Sequence, residues 1–148
     1  MSTYVHIFAR SKHDDFVELW CSAGSSAMMQ IMGHWAPWEK IQRINESTMQ
    51  RFQDDAAERL NELKEIITHH EKLISEVGSW NNSIDEKIDL INDYQHAIEE
   101  DRQDLDEWQA VNYYLHFIRH MIEDGVEIYA GVECGSAVTV EDIEDSNK

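Results

Sequence analysis

Apolar residues recur at three- and four-residue intervals over most of this chain, and at two-residue intervals only near its ends. From about Trp38 to Val77 there is no glycine or proline. Met49, Ala56, Leu60, Leu63, Ile67, His70, Ile74 and Val77 form a seam there, with Gln53 as its polar exception. Such spacing lays one apolar stripe along a helix, in the manner of a coiled coil. Gly78-Ser79-Trp80-Asn81-Asn82 breaks the pattern with turn residues, and Ser83 with Glu86 supplies a capping box for a second long helix. The second seam runs through Ile84, Ile88, Ile91, Tyr94, Ile98, Leu105, Trp108, Val111, Leu115, Ile118 and Ile122; Asp101 interrupts it and Gly125 ends it. Two seams of similar length joined by a short loop predict an antiparallel helical hairpin.

The ends of the chain follow a different period. Thr3–Ala9 (TYVHIFA) and Val126–Cys134 (VEIYAGVEC) have the alternation and residue types of strands that could pair with each other. Between the first strand and the hairpin, Asp14 or Asp15 offers an N-cap to a short amphipathic helix carrying Phe16, Leu19 and Trp20. Gly24-Ser25-Ser26 interrupts it, Ala27–Met32 continues as a second short helix stopped by Gly33, and Pro37 suits the first turn of the next. The closing EDIEDSNK is polar and predicts a frayed tail. The predicted fold is α+β and mostly helical: a long antiparallel coiled-coil-like hairpin on a small base containing a terminal β-strand pair. A single domain of 1–148 is expected, with a base at 1–45, the hairpin at 46–124, a strand region at 125–140 and an acidic tail at 141–148.

Charge sharpens this division. The 148 residues carry a formal net charge of −18, which argues against direct nucleic-acid affinity. Residues 1–45 hold four basic and four acidic residues, so the whole excess lies in 46–148. The neutral segment also holds Trp20, Trp35, Trp38, Met28, Met29 and Met32, a cluster whose commoner role is core packing rather than contact. No apolar run approaches the roughly 20 residues that span a bilayer, and the first residues lack a signal-peptide pattern. A cytoplasmic protein with no membrane partner is therefore expected.

On the second long helix, at about 100° per residue, Asp85, Glu86, Asp89, Asp93, Glu100, Asp104 and Glu107 fall within one arc of about 100°. The apolar seam centres roughly 165° away, with Lys87 and Arg102 on or beside it. From Asp85 to Glu107 is roughly 33 Å of helix. The ten acids in that stretch are spaced like the phosphates of one DNA strand, at about one charge per 3.4 Å. Like charges at i,i+4 (Asp85/Asp89, Asp89/Asp93, Glu100/Asp104) cost a few tenths of a kcal/mol each. A helix that tolerates this repulsion is a candidate mimic of nucleic acid, although a solvated face is the commoner outcome.

Chemistry is sparse elsewhere. Cys21 and Cys134 lack metal-motif spacing, and Cys21, beside Trp20 on an amphipathic helix, reads as a buried inert thiol. His116 and His120 stand at i,i+4, and His69 and His70 are adjacent. A hairpin folded about Trp80 nevertheless places His116 opposite the region of Ile44, so the histidines do not converge. His70 and His116 lie on apolar seams, where a hydrogen-bonded core histidine is the default. No catalytic, metal or cofactor site is expected. Trp80 at the loop has little core to enter and joins the seven acids as a candidate partner contact.

The resulting expectation is a non-enzymatic acidic inhibitor that occupies the basic nucleic-acid-binding surface of a partner protein. In charge and size it resembles the small inhibitors that phages and mobile elements encode. The alternative is a helical-hairpin adaptor or homodimer that binds through apolar surface.

Overall fold

A computed structural model describes residues 3–13, 15–23, 27–33, 35, 40–134 and 138–148. In chain order the elements are β1 (Thr3–Arg10), β2 (Phe16–Ala23), α1 (Ala27–Met32), β3 (Lys40–Ile44), α2 (Glu46–Val77), α3 (Ile84–Glu123), β4 (Ile128–Cys134) and α4 (Val140–Ser146). The α+β architecture with two long helices and a small sheet is as expected. Asp14, Gly24-Ser25-Ser26, Pro37 and Trp38 lie outside the described residues. Among the described residues, no helix is long and apolar enough to cross a membrane.

The chain forms two compact units, 1–56 with 111–148 and 57–110. Both boundaries fall inside the long helices, α2 and α3. In the first unit, the sheet is antiparallel in the order β2-β1-β4-β3. The pairing of the terminal strands is present, with Thr3 opposite Cys134 and Ala9 opposite Ile128. Two further strands correct the sequence reading. Phe16–Ala23 is a strand and not a helix, because a segment carrying Phe16, Val17 and Trp20 finds β1 to pair with, and pairing outweighs a weak local helix preference. Lys40–Ile44 is likewise a strand, and the long helix starts only at Glu46, where Asn45 Oδ1 accepts the Thr48 N–H at 2.8 Å. Asn45 is thus the N-cap that ends the strand.

Alternation sorts the sheet into two faces. Val5 and Ile7 are fully buried on one, with Ala130 and Val132 of β4 in the same alternation, and α1 lies against β1, β2 and β4. On the other, Phe8, Ile41 and Tyr129 surround Ile143 of α4, which is 1% exposed, with Phe16 and Val138 at the edge. The expected frayed tail is therefore a docked helix. Thr139 and Asp142 cap it reciprocally, and the Asn147 side chain bonds β3 twice, donating to Ile41 O at 2.8 Å and accepting from Arg43 N at 2.9 Å. An amide at that place occupies the free edge of β3, as a neighbouring strand would. A polar string with one isoleucine carries no periodicity, so only the cleft over Phe8 and Tyr129 makes it helical.

The Thr139 backbone N–H and hydroxyl hold the Asp142 carboxyl below its ordinary value of 3.8. A depressed folded-state value stabilises above the unfolded carboxylate's range and is lost as pH falls through the folded value. Thr139→Ala should cost about 1 kcal/mol of α4 docking. The readout is loss of amide-exchange protection in α4, with further loss on acidification below about pH 4.

Gly125, at φ 90°, ends α3. Val126 N–H reaches Met121 O at 2.9 Å and Gly125 N–H reaches Ile122 O at 3.0 Å, the paired bonds of a Schellman cap. Gln53, the polar exception of the first seam, is 6% exposed and satisfied. Its amide bonds His116 Nδ1 at 2.8 Å and accepts from Arg119 at 2.6 Å, and Arg119 also reaches Gln50.

In the second unit, Leu60, Leu63, Ile67, Val77, Ile98 and Trp108 are buried. His70 stacks on Tyr94 at 5.8 Å and its Nδ1 lies 4.0 Å from Asp101, so the interruption of the second seam meets the histidine of the first. Arg102 reaches Glu71 at 3.3 Å. A fold about Trp80 would have put residues 90 and 89 opposite His70 and Glu71. At these two pairs the α3 residue lies more than ten positions further along than that fold predicts. Ile84 and Ile88 are 77% and 51% exposed, although both belong to the predicted seam.

Candidate functional site

The candidate site is the acidic face of α3 within the second unit. Asp85, Glu86, Asp89, Asp93, Glu100, Asp104 and Glu107 are all exposed, as an arc opposite the seam requires. The start of the arc is set by the N-cap of α3: the Ser83 hydroxyl accepts the Glu86 N–H at 3.2 Å, while the Glu86 carboxylate accepts from Asn82 Nδ2 at 3.1 Å. Asp85 and Glu86 therefore sit in the first turn, where the helix dipole favours negative charge. Further along, Glu100 pairs with His96 at 3.1 Å. Among the described residues, no cation lies within ion-pair distance of Asp85, Asp89, Asp93 or Asp104.

The cations of the same helix segment are turned elsewhere. Lys87 donates to Gly78 O at 3.0 Å across the loop, and Arg102 is drawn to Glu71 of α2. Both engagements follow from their position beside the seam, where they reach back to α2 and the loop. On that face Asp85, Asp89, Asp93 and Asp104 form a row of carboxylates from which Lys87 and Arg102 are held off. At high dielectric each close pair of these charges repels by roughly 1 kcal/mol or less, and the row as a whole projects a field that salt screens within about 10 Å.

Trp80 is half-buried in the turn after α2, its N–H bonded to Val77 O at 3.1 Å. Among the described members of the amino-terminal aromatic and methionine group, two are core and Trp20, Met29 and Trp35 are half-buried. Met28 and Met32 are fully buried, Trp20 rests on Tyr114 at 4.8 Å, and Trp35 meets the edge of Phe52 at 5.4 Å. Trp20 Nε1–H bonds Ser22 Oγ at 2.8 Å. Beside this group on the first unit, Tyr113 and Phe117 are 79% and 51% exposed.

The histidines singled out by spacing do not assemble. His116 is exposed and bonded to Gln53 rather than packed in a core, and His120 pairs with Glu123 at 3.5 Å. A different trio converges in the first unit. The ligand atoms of His6, Glu18 and Cys21 all lie within 4.8 Å of one another. Cys21 is exposed, not the buried thiol that a helical reading implied. Its pKa is raised, first by partial desolvation and then by the charge and hydrogen bond of Glu18. Sequence reasoning missed this trio because it placed Glu18 and Cys21 on a helix. The available signal was weak: Phe16, Val17 and Trp20 are the strand-favouring residues of FVELWCSA.

Comparison with protein-family models, characterised proteins and solved structures finds no match to this chain.

Proposed function

We propose that this chain is a non-enzymatic inhibitor that fills the basic nucleic-acid-binding surface of a partner protein with the acidic face of α3. The observation that carries the reading is the set of exposed carboxylates Asp85, Asp89, Asp93 and Asp104, none of which has a cationic partner among the described residues, while Lys87 and Arg102 are engaged elsewhere. A rigid helix bearing charge at phosphate-like spacing fits a groove of Lys and Arg that has evolved to bind a strand. Such an interface associates fast and weakens steeply with ionic strength. Trp80 and the small-inhibitor role typical of phages and mobile elements belong to the same proposal.

The test is a pull-down from lysate at low and high salt, with wild type and a variant carrying Asp→Asn and Glu→Gln at the seven positions. Wild type should retain a nucleic-acid-binding protein that duplex DNA and salt both release, and the variant should lose it at least tenfold. Retention by both proteins, indifferent to salt, would refute the mimicry. That result would favour the second reading, a helical adaptor or homodimer, whose own support is the exposure of Ile84 and Ile88.

A further inference from the structure

His6 is 6% exposed, and neither of its ring nitrogens has a hydrogen-bond partner. Buried imidazoles are ordinarily bonded through at least one nitrogen. Glu18 lies near, but at 3.7 Å from Nδ1 it is too far for a hydrogen bond. The ring is fixed by its stack on Phe8 at 5.8 Å. A rigid imidazole with unused donor atoms, a carboxylate and a thiol thus share one spot on the β1–β2 ribbon.

A strand irregularity makes this possible. In a regular strand, residues three apart such as Glu18 and Cys21 point to opposite faces. Here Ile7 pairs with Trp20 and Phe8 with Glu18, so Leu19 is an extra residue. This bulge resets the alternation, and Glu18 and Cys21 come to share the face of His6, with Cys21 directly opposite His6 in the register. The Leu19 carbonyl, displaced from the ladder, accepts the Tyr114 hydroxyl at 2.6 Å, which anchors the bulge to α3. Bulges of this kind characteristically re-aim a side chain.

We propose that His6, Glu18 and Cys21 form a zinc site with three protein ligands and a fourth position open to water. In a tetrahedral site with Zn–N of about 2.0–2.1 Å and Zn–S of about 2.3 Å, ligand atoms sit roughly 3.3–3.6 Å apart. The His6–Glu18 separation of 3.7 Å nearly meets this, and the outer limit of 4.8 Å needs about an ångström of movement. Glu18 and Cys21 are exposed and able to supply that movement, while His6 stays fixed. Mixed nitrogen, sulfur and oxygen donors suit zinc and not the hard cations calcium and magnesium. On binding, the Cys21 thiol gives its proton to solvent and the thiolate joins the metal, with no electron transferred.

Cobalt(II) is the probe, because a thiolate ligand gives it a near-ultraviolet charge-transfer band that surface carboxylates cannot produce. The purified full chain, titrated with cobalt(II), should develop this band with one equivalent bound, and zinc(II) should then bleach it. Zinc should also raise the midpoint of thermal unfolding, since a ligand held only by the native state stabilises it. Cys21→Ser should abolish the band and Glu18→Gln should weaken binding tenfold or more. Both substitutions are at exposed positions, and unchanged circular dichroism checks their fold. Absence of the band in the wild-type chain, or zinc affinity in Cys21→Ser equal to wild type, would overturn the site.

Discussion

Gly131→Ala is expected to destabilise the first unit by about 3 kcal/mol or more, at the upper end of what overpacking costs. A Cβ at Gly131 would stand 2.0 Å from Lys40 O and 2.9 Å from its carbonyl carbon. Those are backbone atoms of β3, so no side-chain rotation relieves the clash. Gly131 lies in β4, paired with His6 of β1 on one side and Ile41 of β3 on the other. Relief therefore means separating β3 from the sheet, and with β3 go the Ile41 contact and the anchorage of Asn147. Gly78→Ala is the control, because a Cβ there meets nothing within 4 Å. Urea denaturation should show a large fall in midpoint for Gly131→Ala and a change within about 0.5 kcal/mol for Gly78→Ala. Equal midpoints for the two variants would mean that β3 does not approach β4 as described. For a domain whose total stability is about 5–15 kcal/mol, a loss of this size removes a large fraction of the margin.

Ile143→Ala should cost about 2–5 kcal/mol, the range for deleting a buried branched side chain. Ile143 is 1% exposed in a cluster with Phe8, Ile41 and Tyr129, and Phe16 and Val138 pack against it. The same substitution in a frayed tail would change nothing measurable, so the two descriptions of residues 140–146 give opposite outcomes. Denaturant midpoint gives the energy, and limited proteolysis after residue 138 gives the location. Wild type should resist cleavage there and the variant should be trimmed. An accompanying Asn147→Ala should open the Arg43 N–H and Ile41 carbonyl to solvent and speed amide exchange at Arg43 alone.

Long, periodic segments were legible without coordinates. The seams of α2 and α3, the Ser83 cap, the Gly125 stop and the pairing of the two terminal strands all follow from spacing that only one secondary structure satisfies. The exposed acidic arc was equally legible, since its seven members lie opposite the seam by helix geometry alone. Short segments were not. FVELWCSA and KIQRI fit a helix turn or a strand about equally, and the choice between them was made by β1 and β4 offering unpaired edges. EDIEDSNK has a single apolar residue, so its helix exists only because Ile143 has a pocket to fill. A fold about Trp80 does not give the hairpin register, because a loop centre does not fix axial stagger. The pairing of His70 with Asp101 and of Glu71 with Arg102 reports it, and Ile84 and Ile88 are exposed.

The candidate sites divide along the same line. For the acidic face of α3, the sequence determined everything: membership, spacing and the exclusion of Lys87 and Arg102 are consequences of 100° per residue on one continuous helix. For His6, Glu18 and Cys21, the sequence determined only the residue types. Their convergence depends on a cross-strand register between residues 15 positions apart and on one bulged residue that reverses the facing of all that follow it. Local periodicity reports which side of its own element a residue takes. Which elements meet, and in what register, is decided by pairing and burial across the chain, and only the tertiary structure carries that information.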